Sequence, residues 1–134
     1  MSTIVIDTNT FIAAGWHTHT HARRVFASVA RRRFQMAVTV DILDEYRNVS
    51  RRPAFAGKNY RGLLAWIERF SVLVEPAVLG KQRSRDLKDD IFLACALAAG
   101  ASTVVSSDKD LLNMGKPFGI EIVTPAKFIS RHRL

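Results

Sequence analysis

Apolar runs alternate with amphipathic stretches along almost the whole chain. Short runs rich in β-branched residues occur at Thr3 to Ile6, Met36 to Val40, Ser71 to Val74, Thr103 to Ser106 and Ile120 to Val123. Each has the length of a strand, not of a buried helix. Between them, hydrophobic positions recur at helical spacing. The first interval predicts a helix from near Phe11, interrupted around Gly15 and resumed from His21, with Val25, Phe26, Val29 and Phe34 facing inward. The second predicts a helix capped by Asp41 that carries Ile42, Leu43, Tyr46 and Val49 on one stripe, with Pro53 beyond its end. A further helix is expected over Tyr60 to Phe70, with Leu63, Leu64, Ile67 and Phe70 turned to the core. The clearest helix runs from about Asp89 to Ala99, and Gly100 is suited to end it. Thr124 and Pro125 read as the N-cap and first turn of a short last helix. Strands that alternate with helices specify an α/β fold: a central, mainly parallel sheet of about five strands flanked by helices.

Composition narrows the picture to one domain over residues 1–134, with 48% hydrophobic and 24% charged residues, enough to bury a continuous core. Twenty Lys and Arg against twelve Asp and Glu leave a formal charge of +8, which suits a polyanion such as nucleic acid or an acidic protein segment. Part of that charge falls in Ala77 to Lys88, which reads as a basic loop because it has no clear period. Cys95 lies inside an apolar run and reads as core; a single cysteine excludes an intrachain disulfide and suits a reducing compartment. Neither a secretory leader nor a run of about 18 apolar residues is present, so a cytoplasmic protein without a membrane span is expected.

Against this basic background several acids occupy apolar surroundings. Asp7 follows Ile4, Val5 and Ile6 and precedes Thr8 and Asn9, at the end of a buried strand where open α/β sheets carry their chemistry. Taken alone it also fits an Asx-turn or a helix N-cap. Glu45 lies beside Val49 at the border of an apolar stripe, where it needs a partner, either a nearby arginine or a shared site. Asp89 and Asp90 open the most hydrophobic helix, and capping accounts for one of them. Asp108 and Asp110 follow a strand in a segment that alone reads as a polar turn. Jointly, two acids follow strands and others lie on helices able to pack near the same sheet edge. Carboxylates gathered together cannot all stay ionised without a compensating cation, and Mg2+ or Mn2+ supplies it through oxygen ligands. Such a centre suits phosphodiester hydrolysis, with basic residues holding the backbone. Candidates for those phosphate contacts are Arg23, Arg24, Arg31 to Arg33, Arg47, Arg51 and Arg52, with Lys81, Arg83, Arg85 and Lys88 from the loop.

These segments together resemble the PIN-domain nucleases, in particular the VapC-like toxins of bacterial toxin–antitoxin pairs. Val5 to Asn9 resembles the first acidic motif of that family, and Leu43 to Tyr46 with Arg51, Arg52 and Pro53 the second. Lys88 to Leu93 through Gly100 resembles the third, and Val105 to Leu112 the fourth. The resemblance spans nearly the whole chain. It implies a PIN-like α/β/α sandwich and a Mg2+- or Mn2+-dependent ribonuclease with Asp7, Glu45, Asp89 and Asp108 as its acids. Asn9 would support that site, with Thr8 and Asp110 beside it. Asp89 and Asp90 both align with the third acid after a one-residue shift, and Asp89 keeps Ala96 and Gly100 in register. The resemblance further implies an RNA substrate, a cognate antitoxin protein and a homodimer. Trp16, His17, His19 and His21 match none of its motifs.

Two other classes compete. A haloacid-dehalogenase-like phosphatase also carries an acid after its first strand, but needs a second aspartate two residues on, and Asn9 occupies that position. A non-catalytic RNA-binding or partner-binding module of the same fold would have no use for four acids.

Overall fold

The computed structural model describes residues 1–17, 19–80 and 90–134. Lys81, Arg83, Arg85, Lys88 and Asp89 lie outside the described residues, so the expectations attached to them are carried no further by the fold. In chain order the elements are β1 (Thr3–Ile6), α1 (Thr8–Trp16), α2 (His21–Ala30), β2 (Gln35–Val38), α3 (Val40–Ser50), α4 (Tyr60–Phe70) and β3 (Val72–Leu73). There follow α5 (Asp90–Ala99), β4 (Thr103–Val105), α6 (Lys109–Leu112), β5 (Glu121–Val123) and α7 (Pro125–His132). Short 3-10 turns at Pro53–Phe55 and Pro117–Gly119 complete the set among the described residues.

All the strand pairings are parallel, in the order β3-β2-β1-β4-β5. The chain moves outward from β1 to β2 and β3, then returns to β4 on the other flank of β1. The C-terminal ends of β1 and β4 therefore bound the topological switch point, the crevice where open α/β sheets bind their ligands. Ile4, Val5 and Ile6 have no exposed surface, nor do Val104 and Val105. Side chains covered on both faces of a central parallel strand explain why β1 reads as an unbroken apolar run. At the sheet edge, β3 keeps only two residues, and its Leu73 is exposed.

Several boundaries differ from the sequence expectation, each for a local reason. Helix α1 starts at Thr8, not near Phe11, because the Asp7 side chain accepts from Thr10 N and caps it. It also runs through Gly15 without interruption. The glycine makes room for a neighbour: a Cβ at this position would overlap the ring of Tyr60, with Cζ only 2.9 Å away. Tyr60 in turn donates to Ile12 O at 2.7 Å. Helix α2 stops at Ala30, and Arg32 enters the left-handed region at φ 60°. Phe34 consequently leaves the helix and packs its ring 4.9 Å from that of Phe128 on α7. Strand β2 ends at Val38 because Thr39 accepts from Ile42 N and takes the cap expected of Asp41, which sits in the first turn instead. The expected final cap holds, with Thr124 accepting from Lys127 N ahead of Pro125.

An aromatic stack fastens the helices to the end of β1. Phe11 lies flat on Tyr46 at 4.3 Å between centroids, and Tyr60 packs on Phe11 at 5.5 Å. The fully buried Tyr46 hydroxyl donates to Ile6 O at 2.5 Å. Gly15→Ala should therefore destabilise the protein by roughly 1–3 kcal/mol in urea unfolding, the usual cost of overpacking. A helix-interior glycine with open space around it would instead gain up to about 1 kcal/mol from alanine.

Candidate active site

Asp7 leaves β1 at the switch point. Its amide donates to Val105 O at 3.0 Å, so it continues the β1–β4 ladder one step past the strands. That step carries its carboxylate inward, to 2% exposure. Oδ1 accepts from Thr10 N at 2.8 Å and Oδ2 from Ser106 Oγ at 2.5 Å. Ser106 is fully buried at the end of β4, and its Oγ also accepts from Asp108 N at 2.9 Å. One hydroxyl thus links the two strand-end aspartates. Asp108 is half-buried, and its Oδ1 accepts from Asp110 N at 2.8 Å, which caps α6.

Burial disfavours the charged form of Asp7. Burial raises its pKa above 3.8, the Ser106 and Thr10 hydrogen bonds lower it, and the charge of Asp108 raises it further. The net direction is upward, so loss of water outweighs the donors. The Asp7 carboxylate is in turn felt on α3: Tyr46 has its pKa held well above 10 by burial first and then by Asp7, and it stays a neutral donor. Beside it, burial pushes the Cys95 thiol up to about 12, which agrees with a core residue and not a nucleophile.

The remaining sequence-predicted residues distribute unevenly around this pair. Glu45 is half-buried on α3 and has no hydrogen bond or ion pair among the described residues. The arginine two residues along, Arg47, is bound to Asp44 at 3.0 Å and Glu68 at 2.5 Å. Asp90 is half-buried in the first turn of α5, which packs against β1, β2 and β4. Asn9 is exposed in the first turn of α1. Thr8 is buried, and its Oγ1 has no hydrogen-bond partner. Among the described residues no three Asp, Glu, His or Cys side chains gather closely enough to hold a metal ion, and this includes His17, His19 and His21. Asp7 and Asp108 are the acids brought into register with each other.

That pair nonetheless fits a hard divalent cation. Its donors are oxygens, an unpartnered hydroxyl adjoins Asp7, and Mg2+ is commonly held by one or two carboxylates with waters filling the rest. Arg51 and Arg52 are exposed where α3 ends, and Arg51 lines a cleft of about 400 Å3 with Arg47, Lys58, Tyr60, Arg61 and Glu68. Sequence reasoning missed Ser106, Thr10, Lys58 and Arg61. Only Ser106 carried a signal, as a hydroxyl placed directly after a buried strand and ahead of an acid.

A PIN-domain family model matches residues 3–110 of this chain. No curated protein matches it. Its fold is similar to the crystal structure of PAE2754 from Pyrobaculum aerophilum, with a TM-score of 0.65 over 99% of this chain and 91% of that one, at 15% identity.

Two outcomes follow from the carboxylate's surroundings. The folded pKa of Asp7 lies above its unfolded value, so its contribution to stability is present below about pH 3.8 and lost as pH rises through the folded pKa. In EDTA, Asp7→Asn should accordingly become the more stable protein as pH rises through that window, measured by thermal unfolding at several pH values. Ser106→Ala strips a partner from both Asp7 and Asp108 and should cost about 1–3 kcal/mol in the same assay at neutral pH.

Proposed function

The chain belongs to the PIN-domain family, whose members are generally nucleases, and on that premise we propose that it is a metal-dependent ribonuclease acting at the β1–β4 crevice. The observation that carries the reading is the buried Asp7 carboxylate, tied by Ser106 to the amide of a second aspartate whose charge opposes its own. Fixed carboxylates in mutual repulsion are costly to a fold and useful to a cation site. Asp7 and Asp108 would hold Mg2+ or Mn2+, with Glu45 and either Asp89 or Asp90 completing the acidic set. When bound, that cation acidifies an attacking water and stabilises negative charge on the phosphoryl oxygens.

The chain's own residues do the rest. Thr10 N and Ser106 Oγ fix both oxygens of Asp7, so the carboxylate needs no rearrangement when substrate arrives. Asp110 N does the same for Asp108. Asn9, exposed in the first turn of α1, offers an amide to a phosphoryl oxygen at the helix end that favours negative charge. Arg51 and Arg52 hold the RNA backbone, together with Lys81, Arg83, Arg85 and Lys88. The family match favours this reading over the phosphatase alternative, for which Asn9 lacks the needed acid.

The resemblance of the four motifs extends the proposal to the toxin of a toxin–antitoxin pair, a homodimer acting on cytoplasmic RNA and held in check by an antitoxin protein. No helix among the described residues is long and apolar enough to cross a membrane. Inducible expression should arrest growth, an adjacent open reading frame should relieve the arrest, and Asp7→Asn should be harmless. Harmless expression of the folded wild type would remove the toxin role.

The nuclease itself is tested with end-labelled RNA. Cleavage should require Mg2+ or Mn2+, stop in EDTA, and fall by about 100-fold or more in Asp7→Asn and Asp108→Asn, in the range seen when one fixed electrostatic group is removed. Ser106→Ala, which only orients these acids, should lose about 10–100-fold. Cleavage unchanged in Asp7→Asn would place the chemistry elsewhere.

A further inference from the structure

In an all-parallel sheet every strand ends at the same edge, and Asp7 and Asp108 follow strand ends there. The opposite edge has a different chemistry. Residues 31–33, all arginine, lead into the start of β2 and are exposed. The end of α7 is folded onto the same place, because Arg33 Nη2 donates to His132 O at 3.2 Å and the Phe34 ring lies 4.9 Å from that of His132. This adds exposed Arg131 and Arg133. Arg24, exposed on α2, donates to Leu134 O, and with Arg31 it lines a concavity of about 230 Å3.

We propose that Arg24, Arg31, Arg32, Arg33, Arg131 and Arg133 form a second phosphate-binding surface, which anchors RNA at the edge of the sheet opposite the carboxylate crevice.

Three observations support it. Among the described residues, Glu121 is the one acidic side chain that pairs with any of the six: it binds Arg131 and also Lys116. Arg33 is held by the neutral peptide carbonyl of His132, which leaves its charge uncompensated there. The local potential is felt at His132, whose pKa is lowered by burial and then by Arg131 and Arg33, with Glu121 acting the other way. Finally, Arg32 and Arg133 both occupy the left-handed region, at φ 60° and 53°, where glycine or asparagine is easier to accommodate. Strain retained at two arginines of one patch points to use of the side chains.

The chemistry favours polyphosphate over an acidic protein. None of the large exposed hydrophobic side chains lies on α2, on α7 or in the turn at 31–34. The surface thus lacks the aromatic or aliphatic anchors that a protein interface centres on, whereas guanidinium groups suit phosphate oxygens bidentately. A strand of four residues is about 13 Å long, so RNA that touches both edges must extend well beyond the scissile step. The surface would select long or folded RNA.

Identifying the polyphosphate as RNA rests on the nuclease reading, and the test separates the two. Binding of folded transfer RNA and of polyglutamate is measured in EDTA, on Asp7→Asn protein with and without the triple change Arg31→Gln, Arg32→Gln, Arg133→Gln. Circular dichroism checks that the fold is retained. RNA affinity should fall about tenfold, and the slope of log K against log salt should shrink by about two, as for three lost phosphate contacts. The triple lysine variant should recover most of the binding. Unchanged RNA affinity overturns the proposal, as does loss of polyglutamate binding alone, which would assign the surface to an acidic protein. Arginine-dependent RNA binding in a wild type that never cleaves RNA with Mg2+ would uphold the surface and overturn the nuclease.

Discussion

The Asp7 carboxylate is withdrawn from water at the point where β1 and β4 part, and it stays there because Thr10 N and Ser106 Oγ each hold one of its oxygens. A hydrogen bond to a charged group returns about 1.5–3 kcal/mol, while an ion moved out of water loses several. The raised pKa of Asp7 shows that burial prevails over both donors, with Asp108 adding to the imbalance. Much of the surrounding structure follows from accommodating that group. Its cap starts α1 three residues earlier than the hydrophobic pattern implies, and its link through Ser106 sets the position of Asp108 ahead of α6.

Topology turns this local arrangement into a site. With β1 central and the chain reversing its direction of travel between β3 and β4, the ends of β1 and β4 are neighbours although about a hundred residues separate them. Tyr46 then brings α3 to the same edge through Ile6 O, and Phe11 and Tyr60 extend the contact to α1 and α4. Gly15 is the small residue on which that aromatic packing depends. The Asp7–Asp108 pair lies at one end of the strands and the six-arginine cluster at the other. A net charge of +8 is therefore a poor summary of what a ligand would meet at either end.

The fold was legible because its signals are local. β1 had the same bounds in sequence and structure, since three β-branched residues buried on both faces leave little ambiguity. The last helix was equally clear from Thr124 and Pro125. Errors arose where a tertiary contact decided the outcome: Gly15 looked like a break and proved to be space for a ring, and Phe34 looked helical and proved to pack on α7. At the site, Asp7 and Asp108 were readable as acids after apolar strands. Ser106 carried only the weak signal of a hydroxyl between a buried strand and an acid, because its importance lies in joining two residues that only the β1–β4 pairing makes neighbours. Glu45 is half-buried, as expected of an acid at the border of an apolar stripe, and the nearby Arg47 binds Asp44 and Glu68.

If Asp7 and Asp108 together take a divalent cation, carboxyl-carbon NMR reports it at the atoms concerned. In the metal-free protein Asp7 should titrate above the ordinary aspartate value near 3.8. Saturating Mg2+ should bring that titration down and shift the Asp108 carboxyl resonance with it. An Asp7 that titrates at the ordinary value without metal, or that Mg2+ leaves unmoved together with Asp108, would contradict the account.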